Sequence, residues 1–207
     1  MNVASAKTLD VGHAVTAAVA NAGILGLNTG AAVIGNISGA GTVNVNDDFA
    51  TGGTIAATAV NVASAKTLNV RHAITSAVAN AGILVLNIAD AITGAVSGTG
   101  TVTMNEDFTT AGTIGAASVN LASGKTLNVG HAVTTTVANA GILNLNAGAT
   151  ITGNISGGLV FECDSGGISS ECDDLTTTDA SRDYVSTGTV NVNDDFTTGG
   201  TIVLRQM

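Results

Sequence analysis

Aliphatic residues recur two apart along this chain, with one polar or small residue between them. Leu9-Asp10-Val11 sets the pattern, and Leu25-Gly26-Leu27 and Val43-Asn44-Val45 repeat it. Such alternation places every second side chain on one side of the backbone, the period of a strand with one buried face. Between the phrases lie corners rich in Gly, Asn, Thr and Ser: Gly12-His13, Asn21-Ala22-Gly23, Thr29-Gly30 and Ser38-Gly39-Ala40-Gly41. Gly and Asn tolerate the left-handed backbone that tight corners need. Val15, Val19, Val33, Ile37, Ile55, Val60 and Val62 are single inward candidates. The pattern predicts short strands joined by tight corners, with a thin aliphatic core.

The pattern is itself repeated. Asn2-Val3-Ala4-Ser5-Ala6-Lys7-Thr8-Leu9 restarts at Asn61 and again at Asn120, and the first two units agree at 38 of 59 aligned positions. A fixed period of this size marks stacked units that each bury an apolar face on the next. The phrases start at Leu9, Leu25, Val43 and Leu68, so the intervals are 16, 18 and 25 (25 − 9, 43 − 25, 68 − 43). Their mean, close to 20, predicts an all-β parallel β-helix of about nine coils, three per 59-residue repeat. The longest interval is read as a coil with an extra strand, Ser118–Leu121 in the second unit.

Comparing units tests the register. Val15 becomes Ile74, Val33 becomes Ile92, Ile37 becomes Val96 and Val45 becomes Met104, volume-conserving swaps of the kind a core accepts. Gly12 becomes Arg71 and Ala31 becomes Asp90, radical swaps that fit outward positions. A helical reading of Ala14–Ala20 competes weakly: dense Gly, Thr, Val and Asn and the absence of a heptad count against it. One solenoid is expected over 1–207, with repeats at 2–60, 61–119 and 120–207. The third repeat breaks after Ser156-Gly157 and resumes at Gly188-Thr189, so 158–187 reads as a loop inserted at a corner.

Charge narrows the partners. The net charge is −9, with only 6 Lys and Arg. That argues against nucleic acid, which needs clustered cations, and against an anionic membrane surface. The insertion holds seven carboxylates and one arginine, a local net of −6. Mean hydropathy is +0.43, yet no apolar run reaches the roughly 18 residues of a spanning helix. Repeat sequence begins at Asn2 with no basic and apolar leader ahead of it. Any export signal is therefore expected in a longer parent.

Candidate chemistry is sparse. His13, His72 and His131 stand 59 apart, too far along a solenoid to share one zinc ion, and read as corner residues. Asp47-Asp48, Glu106-Asp107 and Asp194-Asp195 form an acidic corner in each repeat. Oxygen-rich corners are calcium candidates, although the Gly-Gly-x-Gly-x-Asp nonapeptide of calcium-binding β-rolls is missing. The pairs also invite a glycosidase reading, with Phe49, Phe108 or Phe196 to stack a sugar. Threefold repetition of the pair opposes it, and the phenylalanines read as core. Asn28, Asn46, Asn87, Asn105, Asn146 and Asn193 recur after strand phrases, where side-chain amides would form a ladder from coil to coil. Asn36-Ile37-Ser38 and Asn154-Ile155-Ser156 match the short glycosylation triplet. Cys163 and Cys172 fall within the insertion and are expected to form a disulfide in an oxidising compartment. Asp164, Glu171, Asp173, Asp174, Asp179, Asp183 and Tyr184 on the same loop form a candidate recognition surface.

Lys125-Thr126-Leu127-Asn128-Val129-Gly130, Gly141–Thr150 and Gly188-Thr189-Val190-Asn191-Val192-Asn193 resemble the passenger repeats of bacterial autotransporters, most closely the repetitive surface antigens of rickettsia-type bacteria. The resemblance implies a right-handed β-helix displayed outside the cell for adhesion or coating. With no Trp, a single Tyr and no unique carboxylate cluster within the repeats, neither catalysis nor a cofactor is expected. A host or cell-surface receptor is then the expected partner. A filament subunit that stacks end to end is the alternative expectation, and a polysaccharide-degrading β-helix enzyme stands third. The acidic cysteine loop departs from the family pattern.

Overall fold

The computed structural model describes residues 1–157 throughout, and beyond them strand backbone at Phe161–Glu162, Thr189–Val192 and Thr197–Thr198. The described residues contain strands, bridges and turns and no helix. Every strand pairing among them is parallel. The chain is a β-solenoid of about nine turns.

The first repeat contributes ten strands: β1 (Asn2–Val3), β2 (Thr8–Val11), β3 (Ala14–Val15), β4 (Val19–Asn21), β5 (Ile24–Leu27), β6 (Ala32–Val33), β7 (Ile37–Ser38), β8 (Thr42–Val45), β9 (Phe49–Ala50) and β10 (Ile55–Ala56). β11 (Ala59–Val62) carries the chain into the second repeat. The strands are dealt in turn onto three faces. Face one stacks β1, β4, β7 and β10 and continues through bridges at Ile74 and Ile92; the Phe108–Thr109, Thr126–Val129, Ile142–Leu145 and Thr189–Val192 strands stack above these. Face two stacks β2, β5, β8, β11, Ala77–Asn80 and Val96–Ser97, then Ile114, Ala132–Val133, Thr150–Ile151 and Thr197–Thr198. Face three begins with β3 and β6. From β9 it runs through Thr67–Val70, Ile83–Leu86, Thr101–Met104, Ser118–Leu121 and Thr136–Asn139 to Ile155–Gly157.

The register refines the sequence-derived coil. Leu9 lies beside Leu25, Leu25 beside Val43 and Val43 beside Val60. Three coils therefore run from Leu9 to Val60 (60 − 9 = 51), short of the 59 of a repeat. Each repeat contains three whole coils and one further face. Leu68 does not continue the Leu9 column; it pairs with Phe49 on face three. Ser118–Leu121 is accordingly an ordinary rung and not an extra strand in a long coil. Equivalent residues of successive repeats advance by one face, like treads of a spiral stair. With rungs about 4.8 Å apart, each repeat rises roughly 16 Å.

The core is one aliphatic column. Leu25, Leu27, Val43, Val45, Leu68, Leu84, Leu86, Met104, Leu127 and Leu143 are buried, as are Phe49 and Phe108. Each buried side chain of this size contributes about 1.5–3 kcal/mol. The phenylalanines occupy the core positions expected of them. Leu9 is only half-buried, because its coil has no preceding neighbour. Arg71 and Asp90 lie outside, as the swaps between repeats required.

Where the third repeat breaks, Ile142 pairs with Thr189, a step of 47 along the chain (189 − 142). The equivalent steps Ile24–Thr42 and Ile83–Thr101 are 18 each (42 − 24, 101 − 83). The excess is 47 − 18 = 29, and within the stretch 158–187, expected to be a loop throughout, Phe161–Glu162 instead forms a short strand paired in parallel with Thr189–Val192.

Candidate functional site

Of the polar residues singled out by the sequence, Asp47, Asp48 and His72 meet at one junction between repeats, and Glu106, Asp107 and His131 at the next. At the first junction Lys66 donates to Asp47 at 2.5 Å, and the Thr67 amide donates to Asp48 Oδ1 at 2.8 Å. Phe49 pairs with Leu68. Thr51 Oγ1 accepts from the amides of Arg71 and His72, and Thr51 O lies 3.0 Å from His72 Nδ1, which therefore carries the proton. The second junction repeats the set. Lys125 donates to Glu106, the Thr126 amide to Asp107, the Gly130 amide to Thr110 Oγ1, and His131 Nδ1 to Thr110 O; Phe108 pairs with Leu127. An acid-acid-Phe-x-Thr segment thus docks on a Lys-Thr-Leu-x-Val-x-His segment one coil later.

This arrangement gives the acidic corners partners within the chain. Lys66 is the main cause that holds the Asp47 carboxyl down at about 2, helped by a hydrogen bond from Thr29 and by the Asp48 backbone. Asp47 in turn raises Lys66, and Glu106 raises Lys125. Among the described residues no three His, Cys, Asp or Glu side chains gather as a metal-binding group. Asp47 and Asp48, like Glu106 and Asp107, serve the junctions as hydrogen-bond acceptors. The three histidines introduce strands on three different faces: His13 leads to β3, His72 to Ile74 and His131 to Ala132–Val133.

The amide ladder is present. Asn46 Nδ2 donates to Asn28 Oδ1 at 2.9 Å, Asn28 to Asp10 at 3.3 Å, and Asn105 to Asn87 at 3.0 Å. Asn61 donates to Asn44, and Asn144 to Asn128, on the outer surface of the strands. Sequence reasoning missed a second asparagine set. Asn21, Asn80 and Asn139 are buried. Asn80 Nδ2 donates to Thr101 O at 2.9 Å and its Oδ1 accepts from the Gly82 amide at 3.2 Å; Asn21 does the same with Thr42 and Gly23. The available signal was the Val-Ala-Asn-Ala-Gly-Ile phrase, identical in all three repeats. Gly98 passes directly over this plug with φ +121°, and a Cβ there would meet Asn80 O at 2.2 Å.

Cys163, Cys172, Asp164, Glu171, Asp173, Asp174, Asp179, Asp183 and Tyr184 lie outside the described residues, as do Asp194, Asp195, Phe196 and Asn193. No family model, curated protein or solved structure matches the chain.

Proposed function

We propose that this chain is a non-enzymatic rod of an extracellular surface protein, serving as scaffold and adhesive display. One observation carries the reading: at the two described junctions Asp47, Asp48, Lys66 and His72, and likewise Glu106, Asp107, Lys125 and His131, bond from one coil to the next. Side chains committed to holding coils together serve rigidity, whereas acid–base chemistry asks for groups turned toward a substrate. A rigid scaffold presents its recognition residues on loops. The inserted loop, with Asp164, Glu171, Asp173, Asp174, Asp179, Asp183 and Tyr184, is the part assigned to a host or cell-surface receptor. The resemblance to autotransporter passengers supports the extracellular placement, and the chain's excess of carboxylates favours a cationic receptor surface.

Beads coated with the chain should bind cultured animal cells, and beads carrying the chain with 158–187 excised should lose that binding. Equal retention of both beads would reject the loop as the adhesive element. Release of oligosaccharides from a polysaccharide panel by the purified chain would reject the non-enzymatic reading.

A further inference from the structure

Asn36-Ile37-Ser38 and Asn154-Ile155-Ser156 fall at the same position of the first and third repeats, and the chain holds no other Asn-x-Ser or Asn-x-Thr triplet. Each triplet leads into a strand, β7 and Ile155–Gly157. Alternation sends the middle residue inward and its two neighbours outward. Ile37 and Ile155 are buried accordingly, while Asn36, Ser38, Asn154 and Ser156 are exposed. The backbone is held alike at the two places: the Val19 amide donates to Asn36 O at 2.8 Å, and the Val137 amide to Asn154 O at 2.8 Å.

The Asn36 carboxamide is used differently from those of the ladders. Asn28, Asn46, Asn61 and Asn105 donate through Nδ2 to the preceding coil, and Asn21 and Asn80 donate through Nδ2 to the following one. Asn36 uses its oxygen instead. Oδ1 accepts from the Thr54 amide at 3.0 Å, and among the described residues Nδ2 makes no bond. The following coil passes close by at Gly53, where a Cβ would lie 2.7 Å from Asn36 Oδ1. A group attached at Nδ2 leaves Oδ1 an acceptor, so the bond to Thr54 survives the attachment.

We propose that Asn36 and Asn154 are N-glycosylation sites, each taking an oligosaccharide on Nδ2 from a lipid-pyrophosphate-linked donor. Nδ2 bonds to C1 of the first sugar, the bond from C1 to the pyrophosphate oxygen breaks with its electron pair leaving on the pyrophosphate, and the amide gives up one proton. The inference rests on the extracellular placement proposed above, since such donors are met on the export route. The two glycans stand two repeats apart, roughly 32 Å along the rod, one ahead of a face-one strand and the other ahead of a face-three strand. The second repeat supplies a natural control. There the triplet reads Ala95-Val96-Ser97, with the same backbone bond from the Val78 amide to Ala95 O at 2.9 Å and with Ser97 exposed.

The test is expression of the full chain in cultured animal cells behind a cleavable secretion leader. Secreted and cell-retained chain are both mapped by peptide mass spectrometry, before and after an amidase that removes N-glycans and leaves aspartate. Asn36 and Asn154 should carry glycan and read as aspartate after the amidase. Asn36→Gln and Ser38→Ala should each lose the first glycan and keep the second, and Asn154→Gln should do the reverse. Ala95→Asn should gain a third. The Thr54 amide should exchange hydrogen as slowly in the glycosylated chain as in chain made without the transfer enzyme. Because the leader is supplied, a missing glycan counts against the sites alone, and the adhesive reading keeps its own cell-binding test. Chain that entered the secretory route with either asparagine unmodified overturns the inference. So does glycan that survives Asn36→Gln and Asn154→Gln together, an Ala95→Asn chain with no third glycan, or faster exchange at Thr54 in the glycosylated chain.

Discussion

Replacing Asn80 with alanine tests whether the buried asparagines hold the coils together. The Asn80 side chain is fully buried and bonds in two directions, to Thr101 O at 2.9 Å and from the Gly82 amide at 3.2 Å. Alanine removes both partners and offers nothing in return. Each buried backbone group left unsatisfied costs about 1–3 kcal/mol. Two such groups give about 2–6 kcal/mol, and the small void left by the carboxamide adds to this. Asn61→Ala is the control, because Asn61 bonds to Asn44 on the exposed surface and its loss should cost well under ~1 kcal/mol. Solenoids can unfold piecewise, so a single melting midpoint is insufficient. Amide hydrogen exchange around Gly82 and Thr101, together with denaturant unfolding, reads the local loss. Equal effects of Asn80→Ala and Asn61→Ala would refute the reasoning.

Ala65 has φ 59°, and Gly124 occupies the same turn of the next repeat; Ala65→Gly should stabilise by up to about 1 kcal/mol, because relief of left-handed strain exceeds the entropy of glycine. Loss of stability in urea unfolding would contradict this. The Asp47–Lys66 bond should depend on acid with a definite sign. The folded Asp47 carboxyl sits at about 2, below its ordinary value of 3.8, so its contribution is complete above that ordinary value and is lost as pH falls toward 2. Asp47→Asn should abolish that part of the acid dependence in unfolding measured from about pH 6 to pH 2. Cys163 and Cys172 should be joined in chain produced in an oxidising compartment, and two free thiols by mass spectrometry would count against it.

The strands legible in the sequence were those long enough to show alternation. Leu25-Gly26-Leu27 and Val43-Asn44-Val45 place two side chains in the core and announce a buried face. β3, β6, β7, β9 and β10 are two residues long, and a single inward residue such as Ile37 carries no period. The interval Val43 to Leu68 looks like one swollen coil only if Val60-Asn61-Val62 is passed over as the close of a repeat, although it alternates just as Val43-Asn44-Val45 does. In the structure it is the rung β11, and its Val60 neighbours Val43. The exposed Asn28–Asn46 ladder was legible because its members recur after each phrase. Asn21, Asn80 and Asn139 recur just as regularly and still escaped notice. Asn at a corner has a sufficient backbone explanation, and burial comes only from the next coil closing over it through Gly39, Gly98 and Gly157. The junction motif was half visible. The acidic pairs and lysines were evident, but their spacing of 19 gains meaning only beside the coil itself, which takes 16 from Leu9 to Leu25 and 19 from Phe49 to Leu68 (25 − 9, 68 − 49).

The central claim is that a repeat spans three coils and one further face, and cysteine crosslinking addresses it most directly. In a Cys163→Ser, Cys172→Ser background, Asn44→Cys with Asn61→Cys places two outward thiols on adjacent rungs of face two, with backbones about 4.8 Å apart. Asn44→Cys with Asn69→Cys places them on different faces. A short bifunctional thiol reagent should join the first pair efficiently and leave the second unjoined. Efficient joining of Asn44→Cys to Asn69→Cys, with none to Asn61→Cys, would mean that one long coil closes between Asn44 and Asn69, and would contradict the fold described above.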